Sequence, residues 1–184
     1  MDLNSEAKLV EAAQDGHLES FGALYERYYN PLVALAYSVL ADRHIAEDAA
    51  QESFVIACRD LSNLKSKDKF AAWLAGICRN IAKQMLRTKG KVIAQNVSAS
   101  AENEGKKDCL VDAIRRAVWK LPTSNRELIV LRYYDNMPYE QIAQILDISV
   151  QAVNGRLIRA KRKIAKYLKR NGFIGDDYET PRKQ

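Results

Sequence analysis

An all-α fold of two small helical domains joined by a flexible linker, the second containing a helix-turn-helix, is what this sequence predicts. Three observations lead there. Apolar residues recur at spacings of three and four along most of the 184 residues, the period of amphipathic helices. Glycines (8) and prolines (4) are few, and no β-branched alternation occurs. One stretch, Lys89 to Lys107, loses the period and collects Gly90, Asn96, Ser98, Ser100, Asn103 and Gly105, the composition of a linker.

The elements follow in order. A first helix is expected from Ser5 to Gln14, stopped by Asp15-Gly16. A second starts at Leu18 and carries Phe21, Leu24, Tyr25 and Tyr28. Asn30-Pro31 breaks or kinks it, and Leu32 to Leu40 continues. A third spans Ile45 to Leu61, burying Ala50, Phe54, Ala57 and Leu61. A fourth spans Lys69 to Thr88, burying Phe70, Leu74, Ile77 and Ile81, with Ala72, Ala75, Gly76, Arg79 and Lys83 outward. Helices resume from Asp108 to Leu121. Ser124 and Glu127 then stand at capping-box spacing before a helix from Asn125 to Tyr134. Tyr139 to Leu146 and Val150 to Lys169 close the series. The predicted organisation is a first domain at 1–90, a linker at 91–110, a second domain at 111–170 and a polar tail at 171–184.

Charge is distributed unevenly. Met1 to Asp60 holds four basic residues against eleven acidic ones. Leu61 to Lys91 holds eight basic residues and only Asp68 opposing them. Val150 to Arg170 holds eight basic residues and no acid. An acidic first third and two basic segments point to two kinds of partner, with nucleic acid suited to the basic ones.

Other classes find no support in the residues. The three cysteines are widely spaced and form no C-x-x-C pair, and only His17 and His44 could assist them, so no metal site is expected. Cys58 and Cys78 read as small core fillers. There is no P-loop and no Gly-rich dinucleotide turn, so the expectation is a non-enzyme without a cofactor. No apolar run approaches the roughly 18 residues of a membrane span, and the first residues lack the basic start and apolar stretch of a signal peptide. The expected location is the cytoplasm.

The strongest local signal is the run from Pro138 to Val153. A helix-turn-helix needs a small residue where its helices cross, which Ala143 supplies. It needs an apolar turn residue, Ile148, and an N-cap opening the second helix, Ser149. Val150, Val153, Leu157, Ala160 and Ile164 then form one core stripe. At about 100° per residue the opposite face carries Gln151, Gly155, Ile158, Arg159, Arg162 and Lys166, flanked by Asn154 and Arg156. Gln, Asn and Arg are the side chains that read base edges in the major groove. Gly155 would allow close backbone approach, and the outward Ile158 suits a thymine methyl.

Asp48-Ala49-Ala50-Gln51-Glu52-Ser53-Phe54 resembles the D-x-x-Q-E/D-x-F segment of sigma factor region 2. Phe70-Ala71-Ala72-Trp73-Leu74-Ala75-Gly76-Ile77-Cys78-Arg79-Asn80 resembles the F-x-x-W-L-x-x-I-x-R-N run that follows it. Leu121-Pro122, Arg126-Glu127, Leu131-Arg132-Tyr133 and Tyr139-Glu140-Gln141-Ile142-Ala143 are similar to region 4, and Val153 to Lys163 to its recognition helix. Order and spacing, with nothing like regions 1.1 or 3, resemble the extracytoplasmic-function group of sigma factors. Asn154-Gly155 departs from that family, which has a basic residue and then Ser there.

The resemblance implies a monomer that binds core RNA polymerase, through its clamp and flap, and promoter DNA, with an anti-sigma factor as a further partner. It assigns Asp48, Gln51, Glu52 and Val55 to the polymerase. It assigns Trp73, Arg79, Asn80, Lys83 and Arg87 to the −10 element, with Asn63, Lys65 and Ser66 in a loop that captures a flipped base. Gln151, Asn154, Gly155, Arg156, Ile158, Arg159, Lys161 and Arg162 go to the −35 element. A stand-alone helix-turn-helix regulator is the rival reading.

Overall fold

The computed structural model describes residues 3–96 and 110–175, and all of its regular structure is helical. The helices are α1 (Leu3–Gln14), α2 (Leu18–Leu40), α3 (Arg43–Asp60), α4 (Phe70–Asn96), α5 (Leu110–Trp119), α6 (Thr123–Tyr133), α7 (Tyr139–Leu146) and α8 (Val150–Arg170). Two single 3-10 turns, Leu61–Asn63 and Lys67–Lys69, lie between α3 and α4.

Local chemistry sets several of the ends. Gly16 takes a φ of +92° and stops α1. Ala41 turns left-handed after α2 (φ 58°, ψ 15°), and the Asp42 carboxylate then accepts from the amides of His44 and Ile45, capping α3 two residues earlier than the sequence suggests. Ser149 accepts from Ala152 N–H and opens α8. Asp147 sits left-handed in the preceding turn (φ 51°, ψ 51°), a conformation Asp tolerates better than most residues.

Four expectations are corrected. Pro31 does not end α2, which runs on to Leu40. Tyr28, Pro31, Leu32 and Leu35 are all buried, and that packing offsets the one missing backbone hydrogen bond. α4 continues past Thr88 and through Gly90 to Asn96. The remainder of the expected linker, 97–109, lies outside the described residues, as does the tail beyond 175. Ser124 is not a cap, because α6 starts at Thr123 behind Pro122, and Glu127 turns elsewhere. Cys58 is exposed, whereas Cys78 is buried, its thiol pushed up to about 11 chiefly by burial.

In the first half α2, α3 and α4 pack against one another, with α1 across α2. Leu24, Leu32, Leu35, Phe70 and Leu74 are completely buried, each worth about 1.5–3 kcal/mol in removed apolar surface. In the second half α8 is the common partner of α5, α6 and α7. Leu128, Leu131, Ile142, Ile145, Val153 and Leu157 fill its centre. The halves also touch. α2 packs on α6, and α4 meets α7, so the buried apolar residues form one continuous cluster.

Candidate nucleic-acid interface

The second half presents its candidate residues much as helical periodicity requires. Val153, Leu157 and Ala160 of α8 face the core. Gln151, Arg159 and Arg162 are exposed, and Asn154, Gly155, Arg156 and Ile158 are half-buried beside them. A Cβ on Gly155 would meet only the Arg159 guanidinium, at 3.6 Å. Packing within the chain therefore does not require glycine there. The Lys161 ammonium lies 5.2 Å from the centre of the Tyr133 ring, a cation–π contact that competes with a phosphate role.

The first half is different. Asp48, Gln51, Glu52 and Val55 form an outward strip on α3, and Val55 keeps 69% of its surface exposed. Asn63 and Lys65 are exposed on the loop between α3 and α4, together with Ser62 and Ser66. On α4, Asn80, Lys83 and Arg87 are exposed. Trp73 is half-buried, its ring 6.0 Å from that of Phe70. Ala75, expected outward, is completely buried, because α4 is covered by α2 and α3 on one side and meets α7 on another.

Arg79 is likewise engaged. Its Nε donates to Glu127 Oε1 at 3.0 Å and its Nη2 to Oε2 at 3.4 Å. The side chains keep 23% and 9% of their surface. This forked pair joins the candidate −10 helix to α6.

Other side chains complete the seam. Arg126 donates through Nη1 to Ser38 O at 3.0 Å and through Nη2 to Leu121 O at 3.1 Å, with its guanidinium 4.4 Å from the centre of the Trp119 ring. Ser38 lies in the last turn of α2, which carries no basic residue of its own, so Arg126 supplies both a donor and a cation to that helix end. Burial nevertheless pushes the Arg126 guanidinium below its ordinary range. Tyr37 packs edge-on to Trp119 (5.9 Å) and against Tyr134 (5.4 Å). Lys69 reaches Asp147, in the helix-turn-helix turn, at 2.6 Å. Glu127, Arg126, Lys69 and Asp147 escaped the sequence reading of the interface. Their partners lie 48 to 88 residues away, beyond any local period.

Among the described residues no cluster of His, Cys, Asp and Glu could hold a metal ion, and no helix is long and apolar enough to cross a membrane.

Comparison with known proteins gives a consistent result. Residues 24–92 match the family model described as Sigma-70 region 2, and residues 112–164 match Sigma-70, region 4. The RNA polymerase sigma-H factor of Pseudomonas aeruginosa is 29% identical over 178 residues, spanning 88% of this chain and 92% of that protein. The ECF RNA polymerase sigma-E factor of Escherichia coli K12 is 30% identical over 173 residues, spanning 85% and 90%. The ECF RNA polymerase sigma factor SigW of Bacillus subtilis is 27% identical over 179 residues, spanning 88% and 96%. Among solved structures, CnrH in complex with the cytosolic domain of CnrY superposes with a TM-score of 0.61 at 28% identity, over 92% of this chain and 99% of that one. The sigma factor RpoE, in complex with the anti-sigma factor NepR from Bartonella quintana, shares the fold, with a TM-score of 0.56 at 22% identity over 82% and 98%.

Proposed function

The chain belongs to the extracytoplasmic-function sigma factors, directing promoter-specific transcription, and from that premise we propose how its surfaces divide the work. α3 docks on the clamp of core RNA polymerase through Asp48, Gln51, Glu52 and Val55. The loop with Asn63 and Lys65, and α4 with Trp73, Arg79, Asn80, Lys83 and Arg87, bind the −10 element. α8 enters the major groove at the −35 element, with Gln151, Asn154, Ile158 and Arg159 toward bases and Arg156, Lys161 and Arg162 toward phosphates. Gly155 lets the backbone come close. The first domain takes α1 to α4 and the second takes α5 to α8.

The observation that carries this reading is the placement of three exposed faces, one apolar and acidic and two cationic, around one core. α3 leaves an apolar Val55 outward among two carboxylates and an amide, a mixture that gains from a protein partner and little from water. α4 and α8 leave cations outward, and phosphates reward those. Two modest DNA sites on one chain raise each other's effective concentration. The groove of α5, α6 and α8, lined by Leu110, Ile114, Val118, Ile129, Ile164 and Leu168, is the candidate seat for the polymerase flap. The family further supports a cytoplasmic monomer with an anti-sigma partner and no catalytic chemistry or cofactor of its own.

The reading has a geometric consequence. Arg79 cannot meet DNA while it is forked onto Glu127, so the two halves must part before the −10 element is bound. Core polymerase, by taking α3 and the second half at separate places, would supply the difference in binding free energy that this opening needs.

The test is run-off transcription with purified core RNA polymerase, with and without the protein, on fragmented DNA from its own genome. New discrete start sites that vanish in the Asp48→Lys/Glu52→Lys double variant support the assignment. Start sites that persist in that variant remove α3 as the docking face.

A further inference from the structure

α1 precedes the segment matched by region 2 and takes no part in the surfaces assigned above, yet it holds the loop between α3 and α4. We propose that α1 is the scaffold of the −10 loop and that Gln14, at its C-terminal end, is the residue that positions it. The inference rests on the reading of that loop given above and deepens it.

Gln14 Nε2 donates to Leu61 O at 2.8 Å and to Leu64 O at 2.9 Å. A side-chain amide has two N–H donors, and here one amide nitrogen bridges the two carbonyls that bound the first 3-10 turn. Within that turn Leu64 N–H donates to Leu61 O at 3.0 Å. Three residues on, Glu11, one turn back along α1 from Gln14, forms an ion pair with Lys67 of the second 3-10 turn. α1 therefore grips both turns of the loop, through residues 47 to 56 positions away in sequence.

The grip sorts the loop into two sides. Leu61, Leu64 and Phe70 are buried, while Ser62, Asn63, Lys65 and Ser66 are exposed. The carbonyls of Leu61 and Leu64 are turned to Gln14, and the intervening polar side chains are carried on the outward side. A backbone with its turn fixed on one side presents those side chains in one geometry before DNA arrives, and a base-reading contact needs such preorganisation. Gln14 touches no DNA in this scheme. It is a positioning residue, and its effect passes through the Leu61–Leu64 turn.

The experiment uses the full chain with core RNA polymerase, on promoters recovered by run-off transcription and randomised one position at a time in the −10 and −35 elements. Gln14→Met keeps the length of the side chain and removes its donors. Gln14→Lys keeps N–H donors. Asn63→Ala/Lys65→Ala/Ser66→Ala removes the outward loop side chains. We expect Gln14→Met to flatten the base preference in the −10 element by about fivefold, the worth of roughly one net hydrogen bond. Gln14→Lys should retain more of that preference. The −35 preference and the affinity for core polymerase should stay within about twofold, below the effect of one such bond.

Three results overturn the proposal. The −10 preference could stay unchanged in Gln14→Met while the loop triple variant flattens it. The −35 preference and core affinity could fall in parallel with the −10 preference, which is what a merely structural role produces. Gln14→Lys could lose as much as Gln14→Met, which removes the donor role. If the triple variant itself leaves the −10 preference intact, the assignment of the loop fails first and this inference falls with it.

Discussion

α4 and α8 are both long helices with cationic outer faces, yet α4 has part of its face taken by the other half of the chain while Asn80, Lys83 and Arg87 stay exposed. Along α8 the side opposite Val153, Leu157 and Ala160 stays outward, with Gln151, Arg159 and Arg162 exposed. Along α4 the side opposite the core of the first half is partly taken by the second half. Ala75 is buried and Arg79 is forked onto Glu127. The difference teaches that a 3.6-residue period reports which side of a helix is apolar. It does not report whether the other side faces water, because a second layer of the same chain can cover it with polar and small residues.

The largest expected effect comes from breaking that cover. Glu127→Gln removes the charge opposite Arg79 while keeping the shape of the side chain. The pair is only partly exposed, and we expect a loss of about 1–3 kcal/mol in denaturant unfolding. We also expect tighter binding of −10 single strands by the free protein, measured by fluorescence anisotropy. Unchanged strand binding at unchanged stability would mean that α4 is not covered in solution, and the contrast with α8 would collapse. Arg79→Ala should raise no such affinity, because it removes the cover and the DNA contact together.

On α8 the expected effects are of similar or smaller size and need no opening step. Arg159→Ala should cost about 1–3 kcal/mol in holoenzyme binding and relax the base preference at one −35 position. Arg162→Ala should instead weaken all sequences alike and lower the slope of log affinity against log salt by about 1. Equal loss of preference in both variants would invert the assignment of bases and phosphates along this helix.

These expectations trace what the residues made legible. α7 was bounded correctly at Tyr139–Leu146 because Pro138 and the Asp147-Ile148-Ser149 turn are local signals. Ser149 was a readable cap, and its hydroxyl accepts from Ala152 N–H. The strip Asp48, Gln51, Glu52 and Val55, which the resemblance to sigma region 2 singles out, is exposed. The seam between the halves was not legible. Glu127 stands three residues after Ser124 and so imitates a capping box, but Pro122 starts the helix earlier and its carboxylate crosses to a helix 48 residues away. Gln14 looked like the plain last residue of α1, and its two acceptors lie across the fold. Local pattern carries information about caps and faces, whereas the partner of a charged side chain is decided by tertiary packing.

Ser149→Ala tests the local part of the contrast at smaller cost. The hydroxyl accepts one amide at 3.2 Å, and its loss should take about 1 kcal/mol from unfolding stability. The −35 preference should survive among the molecules that remain folded. A shift of the −10 preference in this variant would show that α8 and α4 are coupled more tightly than their separate faces suggest.

The smallest expected effect concerns the contact that ties the −10 loop to the helix-turn-helix. Lys69 and Asp147 are 2.6 Å apart, with 54% and 61% of their side-chain surface exposed, so salt should screen them and side-chain entropy should offset much of the attraction. Asp147 also holds a left-handed backbone. Asp147→Ala would add backbone strain to the loss of charge, and Asp147→Gly would relieve strain while removing it. Asp147→Asn is the clean variant, because Asn tolerates the same conformation. The Asp147 hydrogen bond, then its charge, holds the Lys69 ammonium above its ordinary range. The contribution is therefore complete below the usual lysine pKa of about 10.4 and is lost as pH rises through the raised folded value. We expect Asp147→Asn to differ from the parent chain in thermal unfolding at neutral pH and low salt, and to match it in high salt or strong alkali. A difference that persists in high salt would make this pair a structural lock and would place the loop and the recognition helix in one cooperative unit.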